Sequence, residues 1–375
     1  MEVGKVRILM VTPRYFPYAG GIETHVHEVG RRLVKYGVEV TLLTTQPHVP
    51  YPAQLDHEVV EGMQIIRVPA WPPRRDYYIA PRIMEVIKQG TWDLIHCQGC
   101  HTFVPLLAMW AAQTAGKPYI VTFHTGGHSS SLRNSLRNIQ WRLLRPLFAN
   151  ATKLIGVSQF EANYFRTLLH LPTEQFSVVP NGATLPVVEH VYTREYPLIV
   201  SVGRLERYKG HHHLIKALPH IQRKYPSAQL LILGQGPYEA SLRALVRKVG
   251  VQHAVEIRAI PAEDREQMAR TLGQATVVAL LSEYESHPIA VLEAIALQRP
   301  VLVTNTSGLK ELVEQKLVRA IPPVSTPVRV AHAVVQQIDH PYIPPASFCL
   351  PTWDDCVRQL LGIYRIAVRS NICVF

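Results

Sequence analysis

Arg204 and Lys209 bracket a short loop, Gly203-Arg204-Leu205-Glu206-Arg207-Tyr208-Lys209-Gly210, directly after the apolar run Leu198 to Val202. A planar guanidinium fork and a compact ammonium in one loop suit the linked phosphates of a diphosphate. Two solvated surface cations are the plainer reading of such a pair, so the position of the loop has to decide. Glu285 and Glu293 flank Ser286-His287-Pro288-Ile289-Ala290-Val291-Leu292. Glu285 reads as loop and Glu293 as helix. If that helix starts near Pro288, the N–H groups of its first turn point back at the loop and make a place for a sugar and its phosphate. Two acids at this spacing are common by chance. The following Ala294-Ile295-Ala296 and Pro300-Val301-Leu302-Val303 make the context more particular.

In the first half, His124 closes the strand-like run Tyr119 to Phe123. It can act there as a base or as a hydrogen-bonding group to a ligand, or be an ordinary loop histidine among the chain's 18. Gly20-Gly21 opens a helix, where paired glycines let backbone N–H groups approach an anion. The spacing is not that of a dinucleotide fingerprint, and a plain loop pair is the alternative. Gly234-Gln235-Gly236 either lines a nucleotide pocket or makes a tight turn. Cys97-Gln98-Gly99-Cys100-His101 spells a haem-attachment motif, a dithiol or a metal site; it falls at the end of a strand, and an ordinary structural segment is the expected reading. His211-His212-His213 falls at a helix start. Consecutive helical residues face different ways, so no compact metal site is expected.

The elements that must carry these groups alternate. Val6 to Thr12 reads as a buried strand and Ile22 to Tyr36 as an amphipathic helix ended by Gly37. Val38 to Thr44, Asp93 to His96, Tyr119 to Phe123 and Lys153 to Val157 repeat the strand pattern. The rhythm breaks at Val179-Pro180-Asn181-Gly182 and restarts with Leu198 to Val202, Gln229 to Leu233, Val255 to Arg258, Thr276 to Leu280 and Pro300 to Thr304. The fold class is α/β, with two doubly wound Rossmann-like domains: 1–188, 189–350, and a last helix from 351–375 expected to pack back on the first domain. Ligands are then expected beyond the carboxyl ends of the strands, in a cleft between the two.

Composition narrows the partners. The 375 residues are 47% apolar and 18% charged, with 39 Lys plus Arg against 28 Asp plus Glu, a net charge of +11. That excludes a disordered chain. No apolar run reaches the roughly 18–20 residues of a spanning helix. Pro13 and Arg14 cut the first apolar run too early for a signal peptide, and five cysteines are no disulfide framework. A cytoplasmic protein is expected. The surplus charge suits nucleic acid, an anionic membrane or phosphorylated ligands. No reading helix or RNA module is spelled, so nucleic acid is not expected. From Leu94 to Phe160 there is no acidic residue. Within that stretch Leu132, Leu136, Ile139, Leu143 and Leu147 form one stripe, flanked by Arg133, Arg137, Arg142 and Arg145. It reads either as a core-facing helix with a solvated basic side or as a helix lying on an anionic membrane.

Taken in order, these motifs resemble glycosyltransferase family 4, of the GT-B fold. The matching text is Gly20-Gly21-Ile22-Glu23, Thr122-Phe123-His124-Thr125, Val157-Ser158, Val179-Pro180-Asn181-Gly182, Gly203-Arg204-Leu205 through Lys209-Gly210, Ile232-Leu233-Gly234-Gln235-Gly236-Pro237-Tyr238, and Glu285 to Glu293. The resemblance implies transfer of a sugar from a UDP- or GDP-linked donor, with retention at the anomeric carbon and without metal or other cofactor. It implies that Arg204 and Lys209 hold the diphosphate, that Glu285 lies by the sugar hydroxyls and that Glu293 meets the ribose. Ser286, His287, Ile289 and Ala290 would supply the loop and helix start. Gly20 and Gly21 would face the phosphates, and His124 the donor sugar. Gly236, Arg258 and Ile260 would border the nucleotide. Relatives that glycosylate lipids use the 133–145 region to dock, which favours a membrane-associated acceptor and a peripheral place on the inner membrane face. Pro288, where many relatives carry glycine, Ser307-Gly308 in place of paired glycines, and the stretch Val318 to Pro327 without a glycine-rich turn depart from the family pattern. They keep open a non-catalytic protein that binds nucleotide sugar or anionic lipid.

Overall fold

The computed structural model describes residues 6–18, 20–46, 58–72, 78–125, 139–188, 194–345 and 348–372. Among them the strands are β1 Arg7–Val11, β2 Glu39–Thr45, β3 Glu58–Val60, β4 Met63–Val68, β5 Leu94–Gln98, β6 Tyr119–Thr122, β7 Lys153–Gly156, β8 Phe176–Val178, β9 Leu198–Val202, β10 Gln229–Leu233, β11 Val255–Arg258, β12 Val277–Leu280, β13 Val301–Thr304 and β14 Arg319–Ile321. They form two sheets, ordered β3-β4-β2-β1-β5-β6-β7-β8 and β11-β10-β9-β12-β13-β14. Every neighbouring pair is parallel except the hairpin β3–β4. That hairpin turns on Glu61 and Gly62, both at positive φ, as a two-residue turn between right-twisting strands requires.

The central strands are apolar without alternation because helices cover both sheet faces. Ile8, Leu9, Met10 and Val11 in β1 are fully buried, and so are Leu42 and Leu43 in β2. The helix Gly21–Lys35 packs Val26, Val29 and Leu33 inward. It stops as its sequence demands. Gly37 takes φ 81°, its N–H reaches the Val34 carbonyl and the Val38 N–H reaches that of Leu33, the paired closing bonds of a glycine-ended helix.

The described chain divides into two compact units. One comprises the described residues through Asn181 together with those from Thr352 onward; the other is built on Gly182–Pro351. In the first, Phe123 stacks on Phe165 with ring centroids 3.8 Å apart, inside a core that also holds Trp141 and Phe148. Its last helix, Trp353–Ile372, packs on the helix Gly21–Lys35 and on β5, with Arg32 and Asp354 paired at 3.3 Å.

Strand order is what locates a site. In each sheet the chain runs outward in opposite directions from one adjacent pair, β1/β5 in the first unit and β9/β12 in the second. In open α/β sheets such a reversal is where ligands bind, on the loops beyond the strand ends. In the second unit those loops are 203–210 and 281–288. They meet closely: Gly210, at φ 75°, lies so near Leu281 that a Cβ there would stand 1.9 Å from the Leu281 carbonyl oxygen. Gly210→Ala therefore meets both a left-handed backbone and a backbone clash. It is expected to destabilise the second unit by about 2 kcal/mol or more, read as a lowered midpoint in thermal unfolding of the full chain.

Candidate functional site

The β9 loop is held open by its neighbours. The Gly203 N–H donates to the Leu233 carbonyl and the Leu205 N–H to that of Gln235, each at 2.9 Å, and the Tyr238 N–H returns to the Leu205 carbonyl at 2.9 Å. Gly236 is glycine because the Leu205 carbonyl passes where its Cβ would be, at 2.5 Å. Its place is thus explained by loop packing. His211, fully buried, sits beneath: its Nδ1 lies 2.9 Å from Ser201 Oγ and its Nε2 3.3 Å from the Arg204 carbonyl. Burial pulls its pKa down to about 4, so it is neutral.

From this platform Arg204 projects outward, its side chain 41% exposed and only grazing Glu206 at 3.5 Å. Lys209 turns inward. Its Nζ donates to Glu285 Oε1 at 2.6 Å, and the same carboxylate oxygen accepts from Ser282 Oγ at 2.7 Å. Burial pulls the ammonium's pKa down, but Glu285 and Tyr208 more than restore it, and the net shift is upward. Lys209 is a fixed cation. Two positive groups, one exposed and one anchored, therefore stand on the loop at the second unit's strand-order reversal.

The β12 loop brings up the second half of the arrangement. Glu285 and Ser286 are buried, and burial pulls His287 down to about 4. The helix begins where the sequence places it, Ile289–Ala296 with Pro288 as its extended N-cap. The Val291 and Leu292 N–H groups donate to the Pro288 carbonyl, which leaves those of Ile289 and Ala290 without an intrahelical acceptor at the loop face. Glu293 is 2% exposed and ion-paired with Arg265. Its expected ribose contact would compete with that partner, which sequence inspection did not reveal. Arg258 ends β11, the edge strand two positions from the reversal, and pairs with Glu256 at 2.8 Å. Ile260 packs into the core of the second unit. Arg204, Lys209, Glu285, Ser286, His287, Ile289 and Ala290 all stand on or directly after the two reversal loops, and the Arg258 carbonyl accepts from the Gly234 N–H at 2.9 Å, beside the β9 loop.

In the first unit, the helix starts at Gly21 with Gly20 as extended N-cap, and a Cβ on Gly21 would meet nothing within 4 Å. His124 stands at the end of β6 with φ 47°, buried, its Nε2 2.8 Å from Gln98 Oε1. Its ring meets that of His25 edge-on at 4.4 Å. His25 Nδ1 lies 2.8 Å from Asn181 Oδ1. His96 is held by Tyr364 and Thr122 hydroxyls, each at 2.7 Å. Burial keeps all three imidazoles neutral: His25 falls to about 4, His96 to about 3, and His124 well below its ordinary value. Glu161 fixes the loop carrying His124. It accepts from the Thr125 N–H at 2.6 Å, the Thr125 hydroxyl at 2.5 Å and the Val157 N–H at 2.9 Å. The signal was in the spelling Ser158-x-x-Glu161, a helix-capping pattern; Ser158 does cap the helix, accepting from the Glu161 N–H.

Cys97 and Cys100 are buried, and the Cys100 thiol donates to the Phe123 carbonyl at 3.7 Å. Among the described residues no group of three or more His, Cys, Asp or Glu could hold a metal. Arg133 and Arg137 lie outside the described residues. Arg145 donates from Nε to the Leu169 carbonyl at 2.8 Å, closing the end of the helix Gln159–Leu169, so it is a structural cation rather than a free one. In the helical segment 139–143, Ile139 and Leu143 are 56% and 76% exposed beside exposed Arg142, while Trp141 is buried. The core-facing residue of this segment is the tryptophan; Ile139 and Leu143 face outward, Leu147 packs against the core, and Leu132 and Leu136 lie outside the described residues. No helix among the described residues is long and apolar enough to cross a membrane.

Two strand-order reversals with cationic and glycine-rich loops define the architecture of nucleotide-handling α/β proteins. Residues 19–185 match Glycosyltransferase Family 4 and residues 189–339 match Glycosyl transferases group 1. The chain belongs to the family 4 glycosyltransferases and has the GT-B fold. It is 28% identical over 335 residues to a glycogen synthase of Mycobacterium tuberculosis, covering 82% of this chain and 80% of that protein. It is 25% identical over 389 residues to a phosphatidyl-myo-inositol mannosyltransferase of Mycolicibacterium smegmatis, covering 98% and 96%. Its fold matches that of HepE from Anabaena, solved in complex with UDP and glucose, at a TM-score of 0.74 and 16% identity over 96% of this chain and all of that one.

The buried histidines carry a pH signature. Unfolded, each titrates near 6.5; folded, His25, His96, His211 and His287 titrate near 3 to 4. Between those values the unfolded chain binds more protons, so acidification favours unfolding. Their contribution is whole above about pH 6.5 and is lost as pH falls toward about 4. Thermal midpoints are expected to drop through that window, with a shallower slope in His25→Gln.

Proposed function

We propose that the protein is a retaining glycosyltransferase that moves a sugar from a nucleoside diphosphate sugar to a membrane-associated, lipid-linked acceptor. One observation carries the donor half: an exposed Arg204 and a Glu285-anchored Lys209 on the reversal loop of the second unit, beside a helix start with open N–H groups. In this reading Arg204 and Lys209 receive the diphosphate, Glu285 meets sugar hydroxyls with its remaining acceptor capacity, and the Ile289 and Ala290 N–H groups add fixed dipoles. As the anomeric C–O bond breaks, its electron pair passes to the departing phosphate oxygen. The two cations neutralise that developing charge without rearranging, which is where electrostatic preorganisation acts most strongly. The acceptor hydroxyl bonds to the anomeric carbon on the face the phosphate leaves, and its proton goes to the leaving phosphate. No metal is needed for this charge balance. His124, neutral and bonded to Gln98, serves as a hydrogen-bonding group rather than a charged one.

The acceptor half is supported by the outward Ile139 and Leu143 with Arg142 between them, a surface suited to lie among lipid headgroups. The phosphatidyl-myo-inositol mannosyltransferase among its relatives supports a lipid acceptor, and a relative named for GDP-mannose supports a nucleoside diphosphate sugar donor, with UDP and GDP both open.

Thermal shift with UDP, GDP, ADP and their sugars tests the donor half, because a ligand of the native state must raise the midpoint. A shift with one nucleotide family is expected, and no shift with any would defeat the reading. Arg204→Ala should leave the midpoint of the free protein unchanged and lower transfer by about 100-fold or more; wild-type turnover would remove the diphosphate assignment. Binding without transfer or hydrolysis would mark a non-catalytic protein. For the acceptor half, the double variant Ile139→Glu, Leu143→Glu should lose most of its binding to vesicles containing anionic phospholipid. Unchanged vesicle binding would exclude this surface.

A further inference from the structure

Glu285 is held from three sides, and one of them is unusual. Its carboxylate takes Lys209 and Ser282. Its backbone is gripped by the loop that follows β13. The Glu285 N–H donates to Ser307 Oγ at 2.8 Å, and the Gly308 N–H donates to the Glu285 carbonyl at 2.8 Å. Two more hydroxyls tie the loops together ahead of this point: Thr304 Oγ1 donates to the Ser282 carbonyl, and Thr306 Oγ1 to the Glu283 carbonyl at 3.0 Å. The loops approach so closely that a Cβ on Gly308 would lie 1.8 Å from the Ser286 carbonyl oxygen.

The unusual feature is the distribution of residue types. Gly308, at φ −64°, has an ordinary backbone and is glycine for lack of room. Ser307 stands at φ 42°, in the left-handed region where glycine is favoured and a side chain costs about 1 kcal/mol or more. The strained position therefore carries a hydroxyl that glycine would lack. That hydroxyl is buried and accepts the Glu285 N–H. Without it, a buried donor loses its acceptor.

We propose that Ser307 is a positioning residue for the donor site: its hydroxyl sets where Glu285, and through it Lys209, stands. This rests on the donor-site reading above. It adds that turnover depends on a residue that touches neither phosphate nor sugar in that reading, and that the left-handed backbone at Ser307 is tolerated for the sake of this bond.

Two variants separate positioning from mere stability. Ser307→Ala removes the hydroxyl and keeps the strain. Ser307→Gly removes both, so it should unfold at a higher temperature than Ser307→Ala. Both should lose roughly tenfold in kcat/KM for the nucleotide-sugar donor, with the acceptor KM unmoved. Activity would then follow the hydroxyl while stability follows the backbone. Wild-type kcat/KM in both variants would overturn the proposal, and so would activity in Ser307→Gly recovering in step with its melting temperature. If the wild-type chain itself neither transfers nor hydrolyses any nucleotide sugar and binds no nucleoside diphosphate, the donor-site reading fails and this proposal falls with it. An active wild type with unaffected variants removes this proposal alone.

Discussion

A lysine ammonium and a glutamate carboxylate 2.6 Å apart, both largely removed from water, are expensive to assemble. Each loses hydration that their attraction restores only if the geometry is close and the remaining lone pairs are bonded. Most of the second unit's loop structure can be understood as meeting that condition. Ser282 and Ser307 bond the acid's side chain and backbone, Tyr208 lies with its ring centroid 5.4 Å from the ammonium, and glycines at 210, 236 and 308 let backbones approach where side chains would not fit. The sheet order brings the β9 and β12 loops side by side, and those loops supply the pair. The partner-bound lysine is charged and held in place by Glu285.

The first unit follows a different electrostatic plan. Its strand ends carry imidazoles, but burial keeps them uncharged and amide or hydroxyl groups hold them in fixed orientation. No acid lies within the stretch from Leu94 to Phe160 that contains His96 and His124. Glu161, just past that stretch, spends its carboxylate on backbone and hydroxyl donors. The second unit's reversal loops thus carry a fixed positive charge, whereas these first-unit histidines are neutral hydrogen-bonding groups.

Much of this was legible in the sequence because period and punctuation are local properties. The unalternating strands, Gly37 after the first helix, and the helix start at Pro288 all follow from residues within a few positions of one another. The loop cations were legible for the same reason, since they sit directly after a strand. The partners of the site residues were not legible. Arg265 reaches Glu293 from another helix, Gln98 reaches His124 from another strand, and Ser307 reaches Glu285 across two loops. These contacts join residues 22 to 28 positions apart, and no pattern in the intervening chain encodes them. Segment 139–143 shows a second limit. Periodicity does not say which face is inside: Trp141 is buried there while Ile139 and Leu143 are exposed.

The first unit is not one continuous length of chain. It is left at Asn181 and rejoined at Thr352, and its final helix provides Tyr364 to His96 and Trp353 to His25. The chain therefore enters the second unit through one junction and leaves it through another, so that unit is in effect an insertion. A single cut cannot part the two, and a hybrid made by joining the front of one family member to the back of another would pair a foreign helix with these histidines. Exchange of whole units between relatives has to be made at two seams, and selection on the last helix acts on the strand ends of the first unit although more than two hundred residues separate them in the chain.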